Sequence, residues 1–245
     1  MKSFFSQVAA AKPLMSRLSA GLLLAFALAQ GPAEASVVVT FSKITSNNVE
    51  DLSSQLSLTI YGAADVNPYL GTTGALMATQ VLMVLKNNVG IASNISEFYV
   101  DNGPILTGPT VFNSLSGFTN FIGGSADPGN LPGGNTVTPA FVADGVFSAD
   151  ADGNPSNGVN AAGDALGLRY TTANPLDDII DGLADGSLQF GLHVRSIGQR
   201  DGSDGYVSNP GDDTPGGDPL PEPASMALVG LGLLGLAASR RRRAK

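Results

Sequence analysis

The sequence predicts a mainly β protein: an antiparallel β-sandwich or jelly-roll-like domain with one short helix, flanked by an apolar segment at each end. Three observations carry this. Segments 37–44, 55–61, 79–86, 95–100, 165–171 and 187–197 alternate or run apolar over strand lengths. Glycine (31) and proline (15) are abundant while charged residues are only 14%, which suits short strands joined by turns. Six or more strands with turn signals, no βαβ rhythm and no internal repeat argue for a sandwich or jelly roll.

The clearest strand is 187–197. Leu188, Phe190, Leu192, Val194 and Ser196 alternate with Gln189, Gly191, His193, Arg195 and Ile197, so one face is apolar and the other polar. Asn87-Asn88-Val89-Gly90 and Asp101-Asn102-Gly103-Pro104 are turns, because Asn and Gly tolerate positive φ. The helix spans 175–184. Asn174 stands at its N-cap, Pro175 at its first position, Asp177 and Asp178 at the positive end of its dipole, and Gly186 past its end. Leu176, Ile179, Ile180 and Leu183 form its apolar stripe. Residues 123–163 are rich in Gly, Asn, Pro and Asp and read either as an extended loop region or as loops around a short strand at 141–147. Residues 198–218 have linker composition; the folded domain is placed at 36–209 and the linker proper at 210–218.

Between residues 36 and 239 five basic residues face 20 acidic ones, a balance of −15. Such a surface repels phosphate backbones, so nucleic acid is excluded as a partner. There are no cysteines, which removes disulfides, thiolate metal sites and cysteine nucleophiles together and points to a bacterial rather than a eukaryotic exported protein.

The two ends read as sorting signals. Lys2, Lys12 and Arg17 precede an apolar run at 18–29, and Ala33-Glu34-Ala35 supplies a small-x-small cleavage pattern. Residues 1–35 are therefore a signal peptide, cut by signal peptidase between Ala35 and Ser36; a run of about a dozen residues is too short to span a bilayer. At the other end Pro221-Glu222-Pro223 precedes an apolar run of 16 residues, 224–239, and then Arg240, Arg241, Arg242 and Arg243. Sixteen helical residues reach about 24 Å, short of a ~30 Å hydrocarbon layer. The arginines hold the C-terminus in the cytoplasm and act as the membrane stop. A plain tail anchor is the alternative to a processed signal.

Residues 219–245, with motif, marginal span and basic stop in order, resemble the PEP-CTERM sorting domain of Gram-negative bacteria. The resemblance implies recognition of Pro221, Glu222 and Pro223 by a membrane-embedded exosortase. It also implies a precursor held transiently in the inner membrane and a mature product at the cell surface or in an exopolysaccharide matrix. The central region also resembles a recurring cargo domain of such proteins, through Leu131-Pro132-Gly133-Gly134-Asn135, Asn157-Gly158-Val159-Asn160 and the segment 186–194. That family brings no established activity with it.

Catalytic signals are sparse. His193 is the only histidine, so any Ser-His-Asp arrangement must use it, and its place beside Arg195 in a strand favours a surface or cross-strand role. Paired carboxylates from distant segments remain open, but a chain without Trp has little for sugar stacking. The best ligand candidate is the run Asp150, Asp152, Asn154, whose alternate oxygens suit calcium; Pro155 and Ala161 depart from an EF-hand loop, and an acidic turn is the alternative. The expectation is a non-enzymatic surface or matrix protein needing no cofactor unless calcium binds there. A calcium- or polysaccharide-binding module is the runner-up, and a glycan-active enzyme comes third.

Overall fold

The computed structural model describes residues 36–102, 104–124, 126–199 and 202–209. Among them, eleven strands form two sheets in which every pairing is antiparallel. The first sheet runs β1 (Val37–Val39), β3 (Leu56–Tyr61), β4 (Gln80–Asn87), β9 (Ala165–Thr171), β6 (Thr107–Ser116). The second runs β2 (Phe41–Lys43), β11 (Gly202–Ser208), β10 (Gln189–Ile197), β5 (Asn94–Asp101), β8 (Ala149–Ala151), β7 (Phe121–Gly123). One helix of several turns, α2 (Pro175–Asp185), joins β9 to β10, and α1 (Leu70–Thr73) is a single turn. The mainly β character is thus as the alternation predicts.

Alternation decides what is buried. Leu56, Leu58 and Ile60 of β3, Val81, Met83 and Leu85 of β4, and Leu166, Leu168 and Tyr170 of β9 share one core with Phe98 and Val100 of β5 and Phe190, Leu192 and Val194 of β10. Phe98 and Phe190 stack across the β5–β10 pair with centroids 5.7 Å apart. Leu176, Ile179 and Leu183 lay the predicted helix stripe onto this core, with Ile180 packed at its margin. Gly186 ends the helix at φ 77°, a left-handed conformation that glycine adopts without strain.

Four sequence expectations are corrected. The segment 37–44 is two strands in different sheets: Val39 pairs with Leu58, and Phe41 pairs with Ser208. The odd residues Val37, Val39 and Phe41 stay buried throughout, so the side-chain pattern does not register the change of partner at Thr40. The segment 141–147 is no strand: Gly145–Phe147 is a 3₁₀ turn whose Val146 amide donates to the Asp144 side chain, and the strand is the small-residue triplet Ala149–Ala151. Residues 202–208, expected within a linker, form β11 in the interior of the second sheet. At the helix start, the Asn174 side chain makes no capping bond. Asp178 reaches back instead, accepting from the Asn174 amide (2.8 Å) and the Thr172 hydroxyl (2.8 Å), and these bonds hold its carboxyl below the ordinary range.

Asp204 explains how a linker-like sequence becomes an inner strand. It lies opposite Val194 on the core face and is fully buried. Its carboxylate accepts from Thr45 Oγ1 (2.6 Å), the Asn47 amide (2.9 Å) and Asn48 Nδ2 (2.9 Å), and pairs with Lys43 Nζ at 3.0 Å. Burial alone would raise its pKa, but these donors outweigh burial and lower it. The lowered native value means Asp204 adds stability above about pH 4 and loses it as pH falls through that value. Urea titrations from pH 2 to 7 should therefore show an acid limb that Asp204→Asn flattens, at a lower plateau. An unchanged limb in the variant would remove Asp204 as its cause. Leu192→Ala, which empties the centre of the core, should cost about 2–5 kcal/mol in the same assay, while Val142→Ala on the surface costs about 0.5 or less.

Candidate functional site

The outer face of the second sheet is covered rather than bare. Residues 126–143 lie across it as a strap, with Leu131 and Phe141 packed on Tyr99 and Val207 in a second small core. Two glycines make the close approach necessary. A Cβ on Gly191 would stand 2.8 Å from the Leu131 side chain, and one on Gly205 would stand 2.1 Å from the Pro132 carbonyl oxygen.

Beside this cover lies a charged row. Ile122, Asp150, Glu97, His193 and Gly205 are successive cross-strand partners on β7, β8, β5, β10 and β11. A bulge sets the row up. Val194 pairs with Ile95 and His193 with Glu97, leaving Ser96 as the extra residue on β5. Ile95 and Phe98 can then both point into the core while Glu97 turns outward beneath the strap. A second bulge on β10, with Ser196 at φ 52°, does the same for Val194 and Ile197.

Glu97 is the hub. Its side chain is 2% exposed, with His193 Nδ1 2.7 Å from Oε2 and Arg195 Nη2 2.8 Å from Oε1. At that separation from a carboxylate Nδ1 must carry a proton, so its 3.5 Å approach to Arg195 Nε is no hydrogen bond. Oε2 has no geometrically complete hydrogen bond, and the histidine contact is an ion pair whenever the imidazole is protonated. Asp150 faces Glu97 from β8. Burial first, and then the Glu97 charge, raise the Asp150 pKa, while a hydrogen bond from the Asp127 amide partly offsets them. Arg195 Nη2 donates onward to the Asp127 carbonyl oxygen (3.2 Å), and the Tyr99 hydroxyl to that of Pro128 (2.8 Å). Burial, then Glu97, push the Tyr99 phenol above its ordinary value.

Chemically this is an electrostatic tie between strands and strap. His193 is the cross-strand histidine that its place in an alternating strand suggested. Asp150 was legible only as a member of an acidic run. Glu97, Tyr99 and Asp127 were not legible as its companions, because they come from separate segments and only the antiparallel register unites them.

The three calcium candidates have separate bonding partners. Asp150 accepts from the Asp127 amide, Asp152 Oδ2 from Asn120 Nδ2 (3.3 Å), and Asn154 Oδ1 from the Ser156 amide (3.0 Å). Asn157 Nδ2 donates to the Asp152 carbonyl oxygen (2.8 Å), closing the loop on itself. Among the described residues, no group of three or more His, Cys, Asp or Glu is placed to hold a metal ion.

The sorting residues Pro221, Glu222, Pro223 and Arg240, Arg241, Arg242 and Arg243 lie outside the described residues, as do Ala33 and Ala35; Ser36 is the first described residue. Among the described residues no helix is long and apolar enough to cross a membrane. The family model for the PEP-CTERM protein-sorting motif matches residues 219–243. The chain carries a PEP-CTERM sorting motif. That motif implies export, a membrane-anchored precursor and an exosortase as processing partner. No curated protein and no solved structure matches the chain.

Removing the hub should be worse than removing a spoke. Glu97→Ala leaves His193 and Arg195 without their shared carboxylate and should cost about 3–5 kcal/mol, whereas Arg195→Ala, whose side chain is one-third exposed, should cost less. Chemical denaturation of both variants and their double mutant measures the coupling; equal losses would displace Glu97 from the centre.

Proposed function

We propose that this PEP-CTERM protein is a non-enzymatic component of the cell surface or exopolysaccharide matrix, and that its two sheets form a β-sandwich cargo delivered by the tail. The carrying observation is the match at residues 219–243, where motif, short span and basic stop follow in order. The placement of His193 supports a structural role. The single histidine of the chain is buried and paired with Glu97 on the strap side of the second sheet.

The tail's two tasks separate by mutation. In a host with the sorting enzyme, Glu222→Ala leaves the apolar run intact, so an unprocessed membrane-held precursor should accumulate. Neutral replacements of Arg240, Arg241, Arg242 and Arg243 remove the stop, so a 16-residue span should slip through and appear unanchored. Fractionation and immunoblotting distinguish the outcomes; identical behaviour of the two variants would reduce the tail to an anchor.

A second reading, a calcium- or polysaccharide-binding module, rests on the alternate oxygen-bearing residues Asp150, Asp152 and Asn154. Calcium bound there would stabilise the native state by about 2.7 kcal/mol at a hundredfold excess over its Kd. Differential scanning calorimetry should then show a Tm several degrees higher in millimolar calcium, a rise that Asp152→Ala abolishes. An unmoved Tm rejects the calcium arm.

A further inference from the structure

The strap 126–143 is fastened in two chemically different ways. Its middle is held by apolar contact, Leu131 and Phe141 on Tyr99 and Val207. Its leading end is held by the charged row: Arg195 donates to the Asp127 carbonyl, Asp150 accepts the Asp127 amide, and Tyr99 donates to the Pro128 carbonyl. At the trailing end the Val142 amide donates to Asp101 Oδ2 (2.9 Å), and Asn130 bridges the two ends by accepting from the Ala143 amide (2.9 Å).

We propose that the row Glu97, Asp150, His193 and Arg195 is a proton-sensitive latch for the strap, tight in mildly acidic conditions and loosened in mildly alkaline ones. The charges set the direction. The groups facing one another are Glu97, Tyr99 and Asp101 on β5, Asp150 on β8, His193 and Arg195 on β10, and Asp127 on the strap. Carboxylates outnumber cations even with His193 protonated. When the imidazole is neutral, Arg195 alone opposes Glu97, Asp150 and Asp127. Histidine is the side chain whose ordinary charge change lies between about pH 5 and 8, and His193 is the chain's single histidine. Asp150 acts in the same sense. Its raised native pKa means that the folded arrangement gains stability as pH falls and loses it as pH rises through that value. Loosening removes the anchor of Asp127 and Pro128 first and uncovers the apolar floor formed by Tyr99 and Val207 between Gly191 and Gly205.

The chain has no cysteine, so one introduced thiol reports the opening. Val207→Cys in the full chain, held in mild detergent, is labelled with 4,4′-dithiodipyridine at about pH 5.5 and 8, spanning the histidine range. Each rate is divided by that of the denatured protein at the same pH. Protection should be several-fold greater at the lower pH, on the order of the tenfold that one pK unit of coupling yields. His193→Gln should remove most of the difference and Asp150→Asn most of the remainder. Leu115→Cys, under the outer face of the other sheet, should show no such dependence. Equal protection at both pH values, a dependence shared by Leu115→Cys, or one that survives both His193→Gln and Asp150→Asn overturns the latch. Should Val207→Cys fail to fold, hydrogen exchange of the strap amides in the unaltered chain, corrected for intrinsic rates, reads the same ratio and overturns it by the same equality.

Discussion

The pairing of β5 with β10, with its single extra residue at Ser96, is the constraint on which most of the molecule depends. On the inner side it lets Ile95, Phe98 and Val100 all reach the core, where Phe98 stacks on Phe190. On the outer side it turns Glu97 toward His193 and Arg195. A regular strand could not do both, because Ile95 and Phe98 are three residues apart and a period of two would put them on opposite faces. The core and the charged row are therefore two consequences of one backbone irregularity.

The remaining architecture closes what this pair leaves open. At one margin the chain steps from the first sheet to the second at Thr40, and Asn209 returns to tie the Thr40 carbonyl with its amide (3.2 Å). At another, Asn113 of β6 clamps Phe121 of β7, its side chain accepting from the Phe121 amide (2.6 Å) and donating to the Phe121 carbonyl (3.0 Å). These ties occupy backbone groups that short edge strands would otherwise present to another chain. Each outer face also has its own small core, Leu82, Val84 and Leu115 on one sheet and Tyr99, Leu131, Phe141 and Val207 on the other. A chain without cysteines reaches its stability through such layers of packing.

This construction suits the proposed role as a cargo addressed by its tail. The sorting motif, Pro221-Glu222-Pro223 with the following apolar run and arginines, is linear and legible as sequence. The domain ahead of it is a three-dimensional object whose distinctive chemistry, an acid-rich row under a strap, exists only when β8, β5 and β10 are in register.

What the residues determine unaided follows from local physics. Period-two alternation marked β3, β4, β5, β9 and β10 to within a residue or two, and the helix 175–185 was legible from its apolar stripe and terminal glycine. The sorting motif was legible because it is written in consecutive residues. Tertiary structure decided the rest, for identifiable reasons. β11 looks like a linker because Gly205 is small to admit the Pro132 carbonyl and Asp204 is acidic to receive Lys43, Thr45 and Asn48, all distant in sequence. β8 was hidden because its inward residues are two alanines, too small to signal a strand. Glu97 was one acid among 21 until antiparallel register set it opposite Asp150 on one side and His193 on the other. Register is a property of pairs of strands, and no single stretch of chain contains it.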